Sequence, residues 1–348
     1  MEPLLYAEIN LTDFINNIYH IATVSRRPVF PVIKSNAYGT GDIEAAWAVS
    51  KLYRMNAIPM IAVVDAIEAK KILYNGFKKD ILVLNGLKPV IPELLDYKNL
   101  VLSVNDLDDI KLLESFNKPV RVHIQVETGM NRLGTRDLEE CKEMIKTMEA
   151  NPIFTIEGMF THFTDPVNAP HQVELFKPFT ELYKFKWVHC AVSSTYESIL
   201  FGNAVRGGVD MYGAENKNGL SQILTIKAKP LAIHDVNPGD TIGYSRTFTA
   251  TEKGKVAVLP IGYADGYKRA LQGFYMLCHG KKYTVVGRVC MNHTFLWIPD
   301  GDNSIDLNSE FIVTSKDLPL TLLAEKCGTI SYEIQTGFNV IATKIYKQ

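Results

Sequence analysis

Lys34 is the first residue in this chain whose type and setting could do chemistry. It closes an apolar run, Pro28–Ile33, and opens Lys34-Ser35-Asn36-Ala37-Tyr38-Gly39-Thr40-Gly41. A lysine at the end of a buried strand is costly unless its ammonium is used or neutralised. Gly39 and Gly41 allow a tight turn into a helix starting near Asp42. An amine at such a strand end is suited to form a Schiff base with a carbonyl cofactor. Taken alone, the segment also fits a surface lysine snorkelling from the strand end.

The elements that must position such a lysine alternate through the first two thirds of the chain. Strand-like runs lie at 28–34, 60–65, 80–85, 100–105, 119–127, 153–163, 186–192 and 204–212. Segments of helical spacing lie between most of them, at 42–54, 66–75, 106–116, 137–150 and 169–184. Short apolar strands with crossover helices predict an α/β fold, a (β/α)8 TIM barrel, whose reactive groups collect at the strand C-termini. A doubly wound open sheet is the competing fold, and no G-x-G-x-x-G follows the first strand to support it. After residue 222 the texture becomes mostly β. Strands are expected at Ile223–Ile233, Thr241–Thr251, Lys255–Leu259, Lys282–Val289, Thr294–Ile298 and Glu310–Thr314, with one short helix at Leu318–Lys326. The expected domains are therefore a barrel over 1–222 and a mostly β domain over 223–348.

Composition bounds the function classes. A chain of 348 residues that is 47% hydrophobic can bury a large core in two domains. A formal net charge of -1 gives no electrostatic reason for a nucleic acid or an anionic membrane as partner. The 5 cysteines are odd in number and widely spaced, with no C-x-x-C pair, which points to reduced thiols in a cytoplasm and away from a zinc site or disulfide framework. The N-terminal stretch has no secretory pattern, and no apolar run approaches the ~20 residues that span a bilayer.

Further motifs follow Lys34 in order. They are Thr128-Gly129-Met130 with Arg132-Leu133-Gly134, Gly158-Met159-Phe160-Thr161-His162-Phe163, and His189-Cys190-Ala191 with Ser193. Val205-Arg206 with Gly208-Val209 and Tyr212-Gly213 come next, then Pro260-Ile261-Gly262-Tyr263-Ala264-Asp265-Gly266-Tyr267, Gly287-Arg288-Val289-Cys290-Met291, and Thr329-Ile330 with Tyr332-Glu333. In register along nearly the whole chain, these blocks resemble the alanine racemase family.

The resemblance implies pyridoxal 5'-phosphate as cofactor and a two-base racemisation of an amino acid, alanine first. Lys34 matches the Schiff-base lysine and the base for the D-face proton, and Tyr263 the base for the L-face proton. A tyrosine needs nearby cations or hydrogen bonds to act as a base at neutral pH. His162 matches the histidine that tunes that tyrosine. Arg206 matches the partner of the pyridine nitrogen; a guanidinium can only donate there, which weakens the electron sink and favours racemisation over transamination. Tyr38, Ser193 and the backbone N–H groups of Gly208 and Val209 match the phosphate anchors, and His189 a residue packed against the ring. Arg132 and Met291 match the groups that reach the substrate carboxylate. The family layout also implies that the strand near Leu4–Ile9 joins the β domain. It further implies a head-to-tail homodimer in which Tyr263 and Met291 serve the partner's site. Outside that context Tyr263 reads as a capped aromatic in a turn, His162 as a satisfied core histidine, Arg206 as a salt-bridge arginine and Ser193 as a helix N-cap.

Five positions depart from the family pattern. Gln125 stands where many members carry a carbamylated lysine that braces the carboxylate arginine. Val192 replaces an asparagine, Asn292 an aspartate and Thr40 a histidine. Val340 stands where a tyrosine narrows the substrate pocket. Serine or a bulkier amino acid is the alternative substrate, because pocket volume alone discriminates by only ~1–3 kcal/mol per methylene. The rival activities are an amino-acid decarboxylase on the same fold, a barrel protein that binds the cofactor without catalysis, and a paralogue without turnover.

Overall fold

A computed structural model of the protein describes residues 3–51, 57–87 and 91–348. The chain divides into two compact units. One comprises Ile18–Ala37 and Gly41–Met211; the other comprises the N-terminal segment up to Asn17, Tyr38–Thr40 and Tyr212–Gln348.

The first strand of the chain, β1 (Leu5–Asn10), is not part of the barrel unit, which begins with β2 (Val29–Pro31). There follow β3 (Met60–Val63), β4 (Asp80–Val83), β5 (Leu100–Val104), β6 (Val120–Gln125), β7 (Phe154–Phe160), β8 (Trp187–Val192) and β9 (Ala204–Gly207). They form an 8-stranded sheet in the order β2-β9-β8-β7-β6-β5-β4-β3, all parallel. A bridge between Val32 and Ala62, with Ile33 N–H donating to Ala62 O at 2.9 Å, joins the two edge strands and nearly closes the barrel. Aspartates start three of the crossover helices: Asp65 caps Ala66–Tyr74, Asp106 caps Leu107–Phe116 and Asp137 caps Leu138–Ala150. Helix Asp42–Ser50 follows Lys34 as expected; residues 52–54 of the expected helix lie outside the described residues.

Inward positions alternate along the strands. Phe30, Val32, Met60, Ala62, Leu82, Val101 and Ala204 form one buried apolar cluster, with Trp187 packed on it. Two residues on from Trp187 and Ala204 come His189 and Arg206, so the interior turns polar toward the strand C-termini. Near the other end Arg121 of β6 links β7 to β4. It forks onto both oxygens of Asp80 at 2.7 and 2.6 Å and both oxygens of Glu157 at 2.9 and 2.8 Å.

The second unit is built on a 9-stranded sheet. Its remaining sheet strands are β10 (Leu224–Ala228), β11 (Ala232–Val236), β14 (Gly254–Leu259), β15 (Tyr275–Cys278), β16 (Lys281–Val286), β17 (Thr294–Pro299), β18 (Phe311–Thr314) and β19 (Lys344–Lys347). A separate pair is β12 (Thr241–Ile242) with β13 (Phe248–Thr249). β1 lies between β10, antiparallel to it, and β19, parallel to it. Val236, Ile242, Ala250, Val256 and Val286 form a core cluster here.

Several expected elements are divided or shortened. The run at 204–212 is a strand only to Gly207 and then a 3-10 turn, Val209–Tyr212. Ile223–Ile233 is two strands, broken where Pro230 removes a ladder donor. Thr241–Thr251 is the β12–β13 pair with a turn at Tyr244–Arg246. The C-terminal region holds two helices, Leu320–Cys327 and Ser331–Gly337, where one was expected, and β15 was not anticipated. All five cysteines are free thiols. Among the described residues no helix is long and apolar enough to cross a membrane.

Candidate active site

Lys34 lies just past β2, half-buried, and its side chain makes no hydrogen bond or ion pair among the described residues. Burial holds its amine below the ordinary lysine range, with the Arg132 charge adding to the effect and Glu68 opposing it. Gly39 and Gly41 turn into the helix at Asp42 as expected, with φ of 89° and 110°, and the left-handed path begins before them. Ser35, Asn36, Ala37 and Tyr38 all take left-handed backbone angles, with φ of 54°, 53°, 51° and 54°. Such a turn costs roughly 1–2 kcal/mol per residue, and strain of this kind collects at functional sites.

Arg206 is 3% exposed and meets no carboxylate among the described residues. One terminal nitrogen donates to His189 Nδ1 and to His189 O, both at 2.7 Å; the other donates to Thr161 O at 2.6 Å and approaches His162 Nδ1 at 3.4 Å. Burial lowers its pKa to about 10, and Arg132 pushes in the same direction. Because a guanidinium can only donate, His189 Nδ1 is the acceptor and His189 Nε2–H donates to His123 Nδ1 at 2.8 Å. Both rings are fully buried, and burial holds both neutral: His123, with the Arg121 and then the Arg206 charge adding, falls to about 3, and His189, with Arg206 adding, falls well below the ordinary range. Gly158 makes room for this ladder, since a Cβ there would sit 2.7 Å from the His123 ring.

These contacts revise one expectation. His189 has 0% exposure and stacks on Phe160 at 4.9 Å, so it supports Arg206 from behind and does not present a face for a ring to pack on. His162 is the imidazole that reaches the surface. Its pKa drops to about 3 through burial and the charges of Arg206, Arg132 and Lys34. These four residues therefore share one electrostatic environment at the strand C-termini.

The remaining barrel residues surround it. A small cavity is lined by Gln125, Glu127, Arg132, Thr161 and His162 among others. Arg132 is exposed, and its backbone N–H donates to Glu127 Oε2 at 2.9 Å. The Gln125 side-chain oxygen is buried and unpartnered, and no hydrogen bond joins it to Arg132. Ser193 Oγ accepts from Gly208 N–H at 3.0 Å and Asp210 N–H at 3.4 Å, capping the turn that begins at Val209. Tyr38 falls in the other unit, where its ring lies 4.7 Å from that of Tyr212 and burial raises its pKa to about 12.

In the β unit, Tyr263 shares a cavity with Tyr244, Arg269, Arg288, Val289 and Cys290. The backbone at Tyr263 is an ordinary capped turn: Asp265 accepts the Gly262 N–H at 2.9 Å, and Tyr263 N–H donates to Cys290 O at 3.0 Å. Gly262 is required there, because a Cβ would fall 2.3–2.4 Å from the carbonyl oxygens of Cys290 and Met291. Tyr244 is different. It lies among left-handed residues, Gly243, Ser245 and Arg246, with φ of 74°, 59° and 49°. Arg288 donates to Ser245 Oγ at 3.0 Å beside it. Sequence reasoning missed Tyr244 because Thr241–Thr251 reads as one strand; Gly243 inside that run was the available signal. Met291 is 56% exposed and Val340 60% exposed.

A parallel eight-stranded barrel with a lysine and an uncompensated arginine at its strand C-termini, followed in sequence by a β-sheet unit, defines a two-unit barrel protein with a cationic site. Sequence comparison narrows the class. The family model described as alanine racemase, N-terminal domain, matches residues 9–216, and that described as alanine racemase, C-terminal domain, matches 223–346. The chain belongs to the alanine racemase family. It is 32% identical to the alanine racemase of Streptococcus mutans over 88% of this chain and 86% of that one. It is 29% identical to that of Geobacillus stearothermophilus over 98% and 93%. The crystal structure of alanine racemase from E. faecalis superposes with a TM-score of 0.89 at 28% identity, covering 99% of this chain and 98% of that one.

Proposed function

We propose that this protein is a pyridoxal-phosphate-dependent amino-acid racemase that interconverts L- and D-alanine in the cytoplasm. The observation that carries the proposal is the unpartnered, half-buried Lys34 in the electrostatic environment of the buried, carboxylate-free Arg206. That donor set fits pyridoxal phosphate: an amine depressed toward neutrality for the carbonyl, and a donor-only cation for the ring nitrogen. When bound, the cofactor supplies the electron sink that lets a barely acidic Cα proton leave.

The chain's own residues do the rest. Lys34 holds the cofactor and carries the proton on one face. Arg206 donates to the ring nitrogen and, with no carboxylate to relay a proton, keeps it unprotonated. The decarboxylase alternative pairs that nitrogen with a carboxylate, and this environment counts against it. Ser193, Tyr38 and the N–H groups of Gly208 and Val209 anchor the phosphate. Arg132 and Met291 orient the substrate carboxylate, and His162 stands beside Arg206 on the open side.

The proton on the opposite face needs a second base. Tyr263 is that base in this reading, and the capped turn at 262–265 fixes its backbone. It shares its cavity with Arg269 and Arg288, cations that suit a tyrosine acting as a base at neutral pH, and Tyr244 lies beside it. The exposed cavity around both tyrosines, and exposed Met291, suit completion of the site in a second copy of the chain. The functional unit in this reading is therefore a homodimer.

The experiment is Cα exchange in D2O. Purified protein with cofactor should convert L-alanine to deuterated D-alanine, and faster than serine. Absence of exchange with every amino acid, cofactor bound, would sink the racemase reading. Y263F should cut conversion of L-alanine at least 100-fold while Y244F cuts it less than tenfold. The reverse order would move the role to Tyr244.

A further inference from the structure

We propose that Glu68 is a positioning residue for Lys34 and that, with Lys71, it makes helix Ala66–Tyr74 a two-point clamp on the left-handed turn. The proposal rests on the reading of Lys34 as the cofactor lysine.

One carboxylate makes the first point of the clamp. Glu68 Oε1 accepts the backbone N–H of Ser35, the residue after Lys34, at 2.6 Å. Its other oxygen accepts the N–H of Val64, just past β3, at 2.8 Å. The start of the turn is thereby tied to the end of the neighbouring strand. Lys71 lies one helical turn further on the same face and makes the second point. Its ammonium reaches Asp42 Oδ1 at 2.5 Å and Asn36 Oδ1 at 3.4 Å, and Asn36 Oδ1 accepts the Asp42 N–H at 3.1 Å.

Ser35, Asn36 and Ala37 have no intrinsic preference for a left-handed run, so the surroundings must hold them there. A carboxylate suits this task because it offers an acceptor to each of two donors and has nothing to donate. Its charge also opposes that of Arg132 at the Lys34 amine. Burial and the nearby Asp65 and Asp42 charges raise the Glu68 pKa against its two backbone hydrogen bonds. In sequence, Glu68 and Lys71 look like an ordinary solvent-facing pair.

The test separates positioning from plain helix stability. Cofactor-depleted protein is given pyridoxal phosphate and trapped with borohydride at intervals. Label on the Lys34 peptide is then counted by mass spectrometry, with the unfolding temperature measured in parallel. Glu68→Gln has one acceptor for two donors and should label Lys34 at least tenfold more slowly than wild type. Asp65→Ala removes the N-cap of the same helix without touching Ser35. It should lower the unfolding temperature at least as much yet label at the wild-type rate. Wild-type labelling in Glu68→Gln, or equal slowing in Asp65→Ala, would overturn the proposal. If Glu68→Gln does not fold, Glu68→Asp, which reaches only one of the two donors, is held to the same thresholds. Failure of wild type to label Lys34 would instead overturn the cofactor reading, and this proposal with it.

Discussion

Arg121 in β6 and Arg206 in β9 are both largely removed from water in one barrel, and their surroundings are opposite. Arg121 forks onto Asp80 and Glu157, whose side chains keep 27% and 13% of their surface, and these partners raise its pKa. Arg206 has backbone carbonyls and neutral imidazoles in place of carboxylates, and its pKa falls to about 10. Arg27 stands between these extremes, donating to the carbonyls of Ser25, Tyr196, Ile199 and Phe201. The difference teaches where the barrel is built to hold and where it is built to act. A saturated cation stitches strands together; an unsaturated one keeps its charge for something that is not protein.

That contrast can be broken experimentally. The largest effect belongs to Arg206→Leu. Turnover should fall about 10²- to 10³-fold, the loss usual for a preorganised donor, with a smaller stability loss than any Arg121 truncation. Steady-state kinetics with equilibrium unfolding would check it, and near-normal turnover would refute the assigned role. Arg121→Leu should do the reverse. It strands two carboxylates and should cost about 3 kcal/mol of stability, at the low end for a buried pair because all three groups keep some water. Turnover per folded molecule should stay within a few-fold.

The third effect is set by pH. His123 and His189 are neutral when folded, with pKa values held below the ordinary 6.5. The unfolded chain therefore binds protons that the folded chain refuses. Their contribution is fully present above pH 6.5 and is lost on acidification toward the folded values. Each should remove about 1.4 kcal/mol per pH unit once below that point. Denaturant titrations at pH 7, 6 and 5 should show the slope, and a flat profile would mean the imidazoles are protonated in place.

Much of this was legible in the chain. Eight apolar runs of strand length, with segments of helical spacing between most of them, marked the barrel; Lys34 stood out at a strand end, and Arg206 came with the family resemblance. What stayed hidden depended on the third dimension. No residue type announces that Ser35–Tyr38 would wind left-handed, because the neighbouring glycines drew attention and the surroundings impose the turn. His162 and His189 are both histidines in barrel strands or just past them. Only packing shows which faces outward and which is locked behind Arg206. Glu68 is one acidic residue on an amphipathic helix until Ser35 arrives against it. Tyr244 was concealed by β-rich neighbours, although Gly243 hinted at a break.

The placement of β1 bears on how the molecule is made. Its two neighbours are β10, where Leu5 meets Ala228, and β19, where Asn10 meets Lys347. β1 is thus made well before its partners and waits for strands encoded far downstream of it. Until they emerge, β1 has two open edges that any other strand could occupy. Folding of this protein should therefore depend on chaperone cover of β1 until β19 has been made. Trimming the last four residues should increase aggregation during expression, even though those residues lie far in sequence from Lys34 and Arg206.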